Sequence, residues 1–183
     1  MQNTCSFFGH RRIEVTDQLV EKIKTCIEFL IIHRQVSTFL FGSRSEFDTL
    51  CLSIVSEFKR RYPVIKRVAY TCKSEGCFLE SERQKWEGIL SQYLGQEQSI
   101  LTVDEEFEFA NKYKAGKASY IERNQAMIDD SQYCIFYYDD DYRPQPRNNP
   151  KGKTNQTKSG TALAYNYARR KNKKIINMFV IKI

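Results

Sequence analysis

Short apolar runs alternate along this chain with longer stretches in which apolar residues recur at helical spacing. The apolar runs predict strands at residues 5–8, 38–41, 67–71, 100–103, 134–138 and 174–181. The helical spacing predicts helices at about residues 17–33, 45–62, 81–93, 119–130 and from residue 159 onward. Strands that alternate with helices favour an α/β fold, with a mainly parallel central sheet covered by helices on both faces.

The length and composition indicate a single domain. We expect the 183 residues to form one unit, residues 1–183. No stretch approaches the roughly 20 apolar residues of a membrane span, and the first residues lack a secretory signal pattern. We therefore expect a cytoplasmic protein without a membrane partner. The cysteines are scattered, without the paired spacing of a zinc site, so we expect buried, reduced thiols and no metal or cofactor.

The net charge of +7 suits nucleic acid or a phosphorylated ligand, and it is also common on solvated surfaces. Two basic clusters, at residues 59–61 and 169–171, fall at predicted helix C-termini, where cations stabilise the helix dipole. The acidic run at residues 139–141 argues against a uniformly basic face. Nucleic acid is therefore a less favoured partner than a phosphorylated small molecule.

A glycine follows the first predicted strand, and the next two residues can carry chemistry. Ligands of parallel sheets bind beyond the carboxyl ends of the strands, and glycine lets the backbone approach them closely. After Gly9, His10 can contact phosphate or act as a base, and Arg11 can pair with phosphate. A tight turn with an exposed histidine and arginine is the alternative interpretation.

A second glycine, Gly42, follows the second predicted strand. Ser43 and the first N–H groups of the next helix can bind an oxyanion. Asp48, which follows Phe47 in that helix, can accept a hydrogen bond from a ribose hydroxyl. Simple helix capping by serine is the alternative.

The strand predicted at 134–138 has a similar arrangement at its end. It runs into Asp139, and after a long polar loop Ser159, Gly160 and Thr161 open a helix whose first N–H groups favour an anion. The loop at residues 140–158 is too long for an ordinary connection, and we expect it to act as a lid.

The helix predicted at 119–130 places Arg123 and Asn124 near the edge of its apolar face. The spacing alone fits a solvated polar face equally well. If the parallel topology is right, the helix starts at the sheet edge where the carboxyl ends of the strands meet, and it leads into the strand predicted at 134–138.

Four segments in this order resemble the SLOG superfamily of Rossmann-like domains, especially its YpsA-like branch. They are Ser6-Phe7-Phe8-Gly9-His10-Arg11, residues 42–48, residues 122–127, and Ser159-Gly160-Thr161 followed by Tyr167-Ala168. The superfamily also includes the DNA-processing protein A domain and the Lonely Guy phosphoribohydrolases. The resemblance implies a Rossmann-like three-layer domain that binds a nucleotide or a nucleotide-derived ligand across its strand ends.

One departure from the family bears on catalysis. Lonely Guy enzymes carry a glutamate for N-glycosidic cleavage after a glycine-threonine element, and Ala164 occupies that position here. Another carboxylate would have to replace it, and Glu46, Asp48 and Glu122 are the candidates. A binding module is therefore the leading hypothesis, a nucleotide N-glycosidic hydrolase the alternative, and single-stranded DNA binding a second alternative. Homo-oligomerisation stays open.

Overall fold

The computed structural model describes residues 3–42, 45–72, 103–109, 117–142 and 159–179. Its strands are β1 (Thr4–Gly9), β2 (Thr38–Gly42), β3 (Lys66–Cys72), β4 (Glu105–Phe109), β5 (Tyr133–Tyr137) and β6 (Lys174–Asn177). Its helices are α1 (Asp17–Arg34), α2 (Glu46–Arg61), α3 (Lys117–Asp129) and α4 (Gly160–Arg170). The helix predicted at 81–93 lies outside the described residues.

Two strand predictions differ from the structure. Of the strand expected at 100–103, residues 100–102 lie outside the described residues and Val103 is not in a strand; β4 follows at Glu105–Phe109. Its alternating glutamate and phenylalanine residues are typical of a strand, but the apolar run before it was the more conspicuous signal. The final strand ends at Asn177 rather than continuing through 181; Met178 and Phe179 follow without regular secondary structure, and residues 180–181 lie outside the described residues.

The strands form one sheet in the order β4-β3-β2-β1-β5-β6, and every pairing among the described strands is parallel. The chain builds outward from β1 through β2, β3 and β4, and then crosses to the other side of β1 with β5 and β6. The boundary between β1 and β5 is therefore the topological switch point, where Rossmann-like sheets bind their ligands. The predicted α/β, Rossmann-like fold is confirmed.

Helices cover both faces of the sheet. Alternate residues of each strand point to opposite faces, and in β1 Phe7 packs under α1 and α2 while Phe8 packs under α3 and α4. The α1/α2 face holds the larger apolar cluster, with both helices contributing leucine and isoleucine. On the α3/α4 face the buried residues of α4 are Ala164 and Ala168, and the partly buried Tyr165 and Tyr167 pack against the same cluster. The three-layer architecture follows from these two clusters.

The helices begin where the sequence places capping residues. The side-chain oxygens of Thr16, Ser45 and Ser159 accept hydrogen bonds from the backbone N–H three residues later, at 3.2, 3.0 and 3.0 Å. Each bond satisfies one N–H that has no partner within its helix. The role that the structure shows for Thr16, Ser45 and Ser159 is therefore that of helix N-caps.

The cysteine thiols Cys5, Cys51, Cys72 and Cys134 are buried and Cys26 is partly buried, as expected. Cys77 lies outside the described residues. Within the described part of the chain, none of the helices has the length and apolar character needed to cross a bilayer.

Candidate functional site

His10 lies at the topological switch point, one residue beyond the end of β1. Its side chain is only 2 % exposed. The ring nitrogen Nε2 accepts a hydrogen bond from the backbone N–H of Asp139, at 3.1 Å, just beyond the end of β5. The two chain segments that leave the switch point are thus joined through the imidazole.

The hydrogen bond to Nε2 determines the tautomer of His10. A neutral imidazole carries one proton, and because Nε2 accepts, that proton lies on Nδ1. Nδ1 is buried and has no hydrogen-bond partner among the residues that the structure describes. Burial lowers the pKa of His10 to about 4, and the nearby charge of Asp139 opposes this only in part. The site therefore contains a neutral imidazole with an unused N–H donor.

A turn after β5 covers the ring. The N–H of Asp141 donates to the Asp139 carboxylate at 2.9 Å, and the N–H of Tyr142 approaches the Asp139 carbonyl at 3.3 Å. The ring of Tyr142 then stacks on the imidazole of His10, with centroids 3.8 Å apart. Asp139 thus orders this turn through its side chain and holds His10 through its backbone.

Gly9 allows the first turn of α2 to approach β1. A side chain at Gly9 would place its Cβ 2.3 Å from the Cβ of Phe47, so only glycine fits without displacement. The N–H of Glu46 also donates to the carbonyl of Arg11 at 3.1 Å, and its carboxylate accepts from the N–H of Ile13 at 2.9 Å. These contacts bring residues 9–11 against residues 46–48. The side chain of Arg11 is exposed.

Three residues from different layers meet at the end of β2. A side chain at Gly42 would meet the guanidinium of Arg123, with Nη2 at 3.1 Å and Cζ at 3.2 Å. The carboxyl group of Asp48 hydrogen-bonds the backbone of Gly42. Asp48 comes from α2 on one face of the sheet and Arg123 from α3 on the other, so the two meet across the strand end.

The carboxyl group of Asp48 is 4 % exposed, and its Oδ1 has no hydrogen-bond partner within the described residues. Burial raises the pKa of Asp48 well above its usual value, and the positive charge of Arg123 and the bond to Gly42 oppose that rise. Arg123 is 6 % exposed and lies over the ring of Tyr120 at 5.3 Å. Its Nη2 also donates to the side-chain oxygen of Asn124, at 3.3 Å. The solvated polar face considered for α3 is therefore wrong for Arg123.

The N-terminus of α4 presents an open surface. Ser159 is occupied as the N-cap, and Thr161 is buried at 7 % exposure. Gly160 is exposed, and a side chain there would meet none of the described residues within 4 Å. The first turn of α4 contains no acidic residue, whereas Asp17 opens α1 and Glu46 and Asp48 lie in the first turn of α2. The start of α4 is the better place for an anion.

The structure brings together most, but not all, of the predicted residues. It places Gly9, His10 and Asp139 at the switch point, and Gly42, Asp48 and Arg123 at the next strand end. The side chain of Phe47 packs against Gly9, and Asn124 contacts Arg123. The side chain of Arg11 points to solvent. Ser43 and most of the expected lid, residues 143–158, lie outside the described residues.

Sequence reasoning missed two contributors, Tyr138 directly after β5 and Asn177 at the end of β6. The side chain of Asn177 accepts from the N–H of Tyr138 at 3.0 Å and donates to its carbonyl at 2.9 Å. It thereby fixes the residue that precedes Asp139. The ring of Tyr138 stacks on Tyr165 of α4, with centroids 4.4 Å apart, and so ties the start of the turn to that helix. The single polar residue in the apolar run 175–181 was the available signal.

Among the carboxylates proposed for hydrolysis, only Asp48 lies at the strand ends in a buried position. Glu46 is used to hold the β1–α1 loop, as its bond to the N–H of Ile13 indicates. Ala164, the residue that the resemblance to Lonely Guy enzymes aligns with their glutamate, is 4 % exposed and packs in the α3/α4 cluster. The described residues contain no group of histidine, cysteine and acidic side chains arranged to hold a metal ion.

No protein-family model matches this chain, and a comparison with curated proteins also finds no match.

Proposed function

We propose that this protein is a binding module for a nucleotide or a nucleotide-derived phosphorylated molecule, held in the crevice beyond β1 and β5. The observation that carries the proposal is His10. A buried donor without a partner costs about 1–3 kcal/mol, and a bound ligand is the simplest way to satisfy it. Its place at the switch point is where Rossmann-like sheets bind ligands.

The start of α4 supplies the place for a phosphate. Its first N–H groups carry partial positive charge, Gly160 leaves its surface open, and no acidic side chain in its first turn opposes an anion. The net charge of +7 also favours the binding of anionic ligands. Tyr138 stacks on Tyr165 of this helix. Because Tyr138 precedes Asp139, the stack links the proposed phosphate position at α4 to the segment that holds His10.

The hydrolase alternative requires a carboxylate near the glycosidic bond. Ala164 is buried in the α3/α4 cluster, and its methyl group cannot act as the carboxylate that this reaction needs. Asp48 has a carboxyl oxygen without a partner at the site, and it is the residue on which this alternative now depends. We retain the SLOG resemblance and a cytoplasmic location as parts of the proposal. For single-stranded DNA binding the support is the net charge of +7 alone, which suits a phosphorylated small molecule equally well.

Mass spectrometry of the small molecules retained by the purified protein tests the proposal. The protein is purified under non-denaturing conditions, and the ligands released on denaturation are identified. We expect a phosphorylated, nucleotide-type species, and less of it from Gly160→Asp, which places a carboxylate where the phosphate should lie. A retained molecule without phosphate, equally abundant in both proteins, would reject the proposed class of ligand.

A further inference from the structure

His10 is too deeply buried for a ligand to reach it in the conformation that the structure shows. Its side chain is 2 % exposed, and Nδ1, the nitrogen that carries the proton, has almost no contact with solvent. In the proposed function a ligand atom comes within hydrogen-bond distance of this nitrogen. Some part of the structure around the imidazole must therefore move before the ligand binds.

Three described aromatic rings lie around the imidazole, and two of them are anchored in the fold. Tyr137 is the last residue of β5, and its ring packs against Phe47 with centroids 5.7 Å apart. The backbone of Tyr138 is held by the side chain of Asn177, at 3.0 and 2.9 Å, and its ring stacks on Tyr165. Moving either ring would disturb β5, β6 or the packing of α4.

The third ring, that of Tyr142, follows an exposed turn. It stacks on the imidazole with centroids 3.8 Å apart and the two planes 17° from parallel. The carboxylate of Asp139 accepts from the N–H of Asp141 at 2.9 Å, and the hydroxyl of Tyr138 donates to the carboxylate of Asp140, so these bonds close the turn. Asp140 and Asp141 are exposed and lie outside the helices and strands. Of the three rings, that of Tyr142 can therefore move with the least disturbance of the helices and strands.

Asp139 is the point after which the chain can rotate. Its backbone N–H donates to Nε2 of His10 at 3.1 Å, and Tyr138 before it is fixed by Asn177. If the rotation occurs after Asp139, the bond to Nε2 persists and the proton stays on Nδ1. The imidazole is then uncovered in the tautomer that pairs with the ligand.

We propose that Tyr142 is a gate over His10: its ring covers the imidazole in the free protein, and residues 140–142 move away together to admit the ligand. This inference rests on the proposed function and adds a conformational step to it. An aromatic stack changes such an equilibrium by a factor of about 2 to 12, whereas a partner for a buried donor contributes about 5- to 100-fold. A ligand that bonds to Nδ1 can therefore offset the loss of the stack.

Exchange of the Nδ1 proton of His10 with water measures the opening without any ligand. Its rate is followed by NMR in wild type, in Tyr142→Ala and in the control Tyr142→Phe, which keeps the ring. A proton that exchanges only from the open state reports the open fraction. We expect exchange to be about 2- to 12-fold faster in Tyr142→Ala, which loses the stack, and close to the wild-type rate in Tyr142→Phe. Equal rates in wild type and Tyr142→Ala, or in the two variants, would overturn the gate and leave the proposed function standing.

The affinity for the ligand should change by the same factor as the exchange rate. Because the ligand binds only the open state, the measured dissociation constant is the intrinsic one divided by the open fraction. Calorimetry uses whichever of AMP, CMP, GMP and UMP the wild-type protein binds best. We expect Tyr142→Ala to bind it about 2- to 12-fold more tightly than wild type and Tyr142→Phe to match wild type. Weaker binding by Tyr142→Ala would mean that the ring contacts the ligand, and unchanged binding that it does not control access; either result would overturn the gate. If no nucleotide binds the wild-type protein, the proposed function fails and the inference fails with it.

Discussion

The guanidinium of Arg123 lies against the backbone of Gly42, so close that a Cβ at residue 42 would be 3.1 Å from Nη2. Gly42 ends β2, and Arg123 comes from α3 on one face of the sheet. Asp48, from α2 on the other face, hydrogen-bonds the backbone of the same glycine. Residues from the two helical layers are therefore in contact at the end of β2. Because Gly42 has no side chain, Arg123 and Asp48 can both approach its backbone.

Three glycine-to-alanine substitutions should rank in a defined order of stability. Gly9→Ala forces a Cβ within 2.3 Å of Phe47 and should cost about 1–3 kcal/mol. Gly42→Ala should cost less, because the tip of Arg123 can shift by a few tenths of an ångström. Gly160→Ala meets nothing within 4 Å and should be neutral or gain up to about 1 kcal/mol. Urea denaturation measures all three, and a Gly9→Ala protein as stable as wild type would contradict the contact with Phe47.

Asp104 should stabilise the edge of the sheet. Its carboxylate accepts from the backbone N–H of Arg67 at 2.8 Å and from the guanidinium at 3.1 Å, and Lys59 lies 3.0 Å away. We expect Asp104→Asn to lower the free energy of unfolding by about 1.5–3 kcal/mol. Glu105→Gln, which breaks an exposed pair with Lys66, is the control and should cost under about 1 kcal/mol.

Asp104 should also make the stability of the protein depend on pH. Burial alone would raise the pKa of Asp104, but the hydrogen bonds from Arg67 and Lys59 outweigh it and hold the pKa well below its usual value. A lowered carboxyl pKa contributes stability above pH 3.8 that is lost as the pH falls further. The stability difference between wild type and Asp104→Asn should therefore shrink on acidification below about pH 4. A constant difference would contradict the ion pair.

His10 should produce a separate loss of stability at mildly acidic pH. Its folded-state pKa of about 4 lies below the ordinary value of 6.5, so the unfolded chain binds more protons between these values. Stability should then fall as the pH drops from 6.5 toward 4, by up to about 3 kcal/mol. His10→Asn should remove this part of the slope. Equal slopes for the two proteins between pH 7 and pH 5 would show that the imidazole is not buried in its neutral form.

Release of free base from nucleotides should be weak or absent. Ala164, where the resemblance to Lonely Guy enzymes would place the glutamate, packs in the core and cannot polarise a glycosidic bond. Loss of a general acid or base typically costs about 10²–10⁴-fold in rate. Chromatography of free base after incubation with nucleoside monophosphates measures the activity. Rapid release of free base by the wild-type protein that disappears in Asp48→Asn, with unchanged folding by circular dichroism, would support the hydrolase alternative and contradict the binding module.

Local signals in the sequence were enough to predict β1 and β2, the glycines Gly9 and Gly42 at their ends, and the position of His10 directly after β1. Each of these depends on a short apolar run followed by a residue that interrupts it. The contact of Arg123 with Gly42 was not predictable, because it joins α3 to β2 across about 80 residues and depends on the strand order. The stacking of Tyr142 on His10 depends likewise on the turn that Asp139 forms after β5. The hydrophobic pattern predicted most of the helices and strands, but it did not predict which distant segments contact each other.

The orientation of the ligand, with its phosphate at the start of α4, is tested most directly by comparing Gly160→Asp with Gly160→Asn. The two side chains have the same shape, and both enter open space. Asp adds a negative charge that favours the helix dipole, so the variant should be at least as stable as wild type. Calorimetry with the nucleotide that wild type binds best should show at least a tenfold loss of affinity, about 1.4 kcal/mol, in Gly160→Asp relative to Gly160→Asn. Equal affinity in the two variants would contradict a phosphate at this helix and, with it, the proposed site.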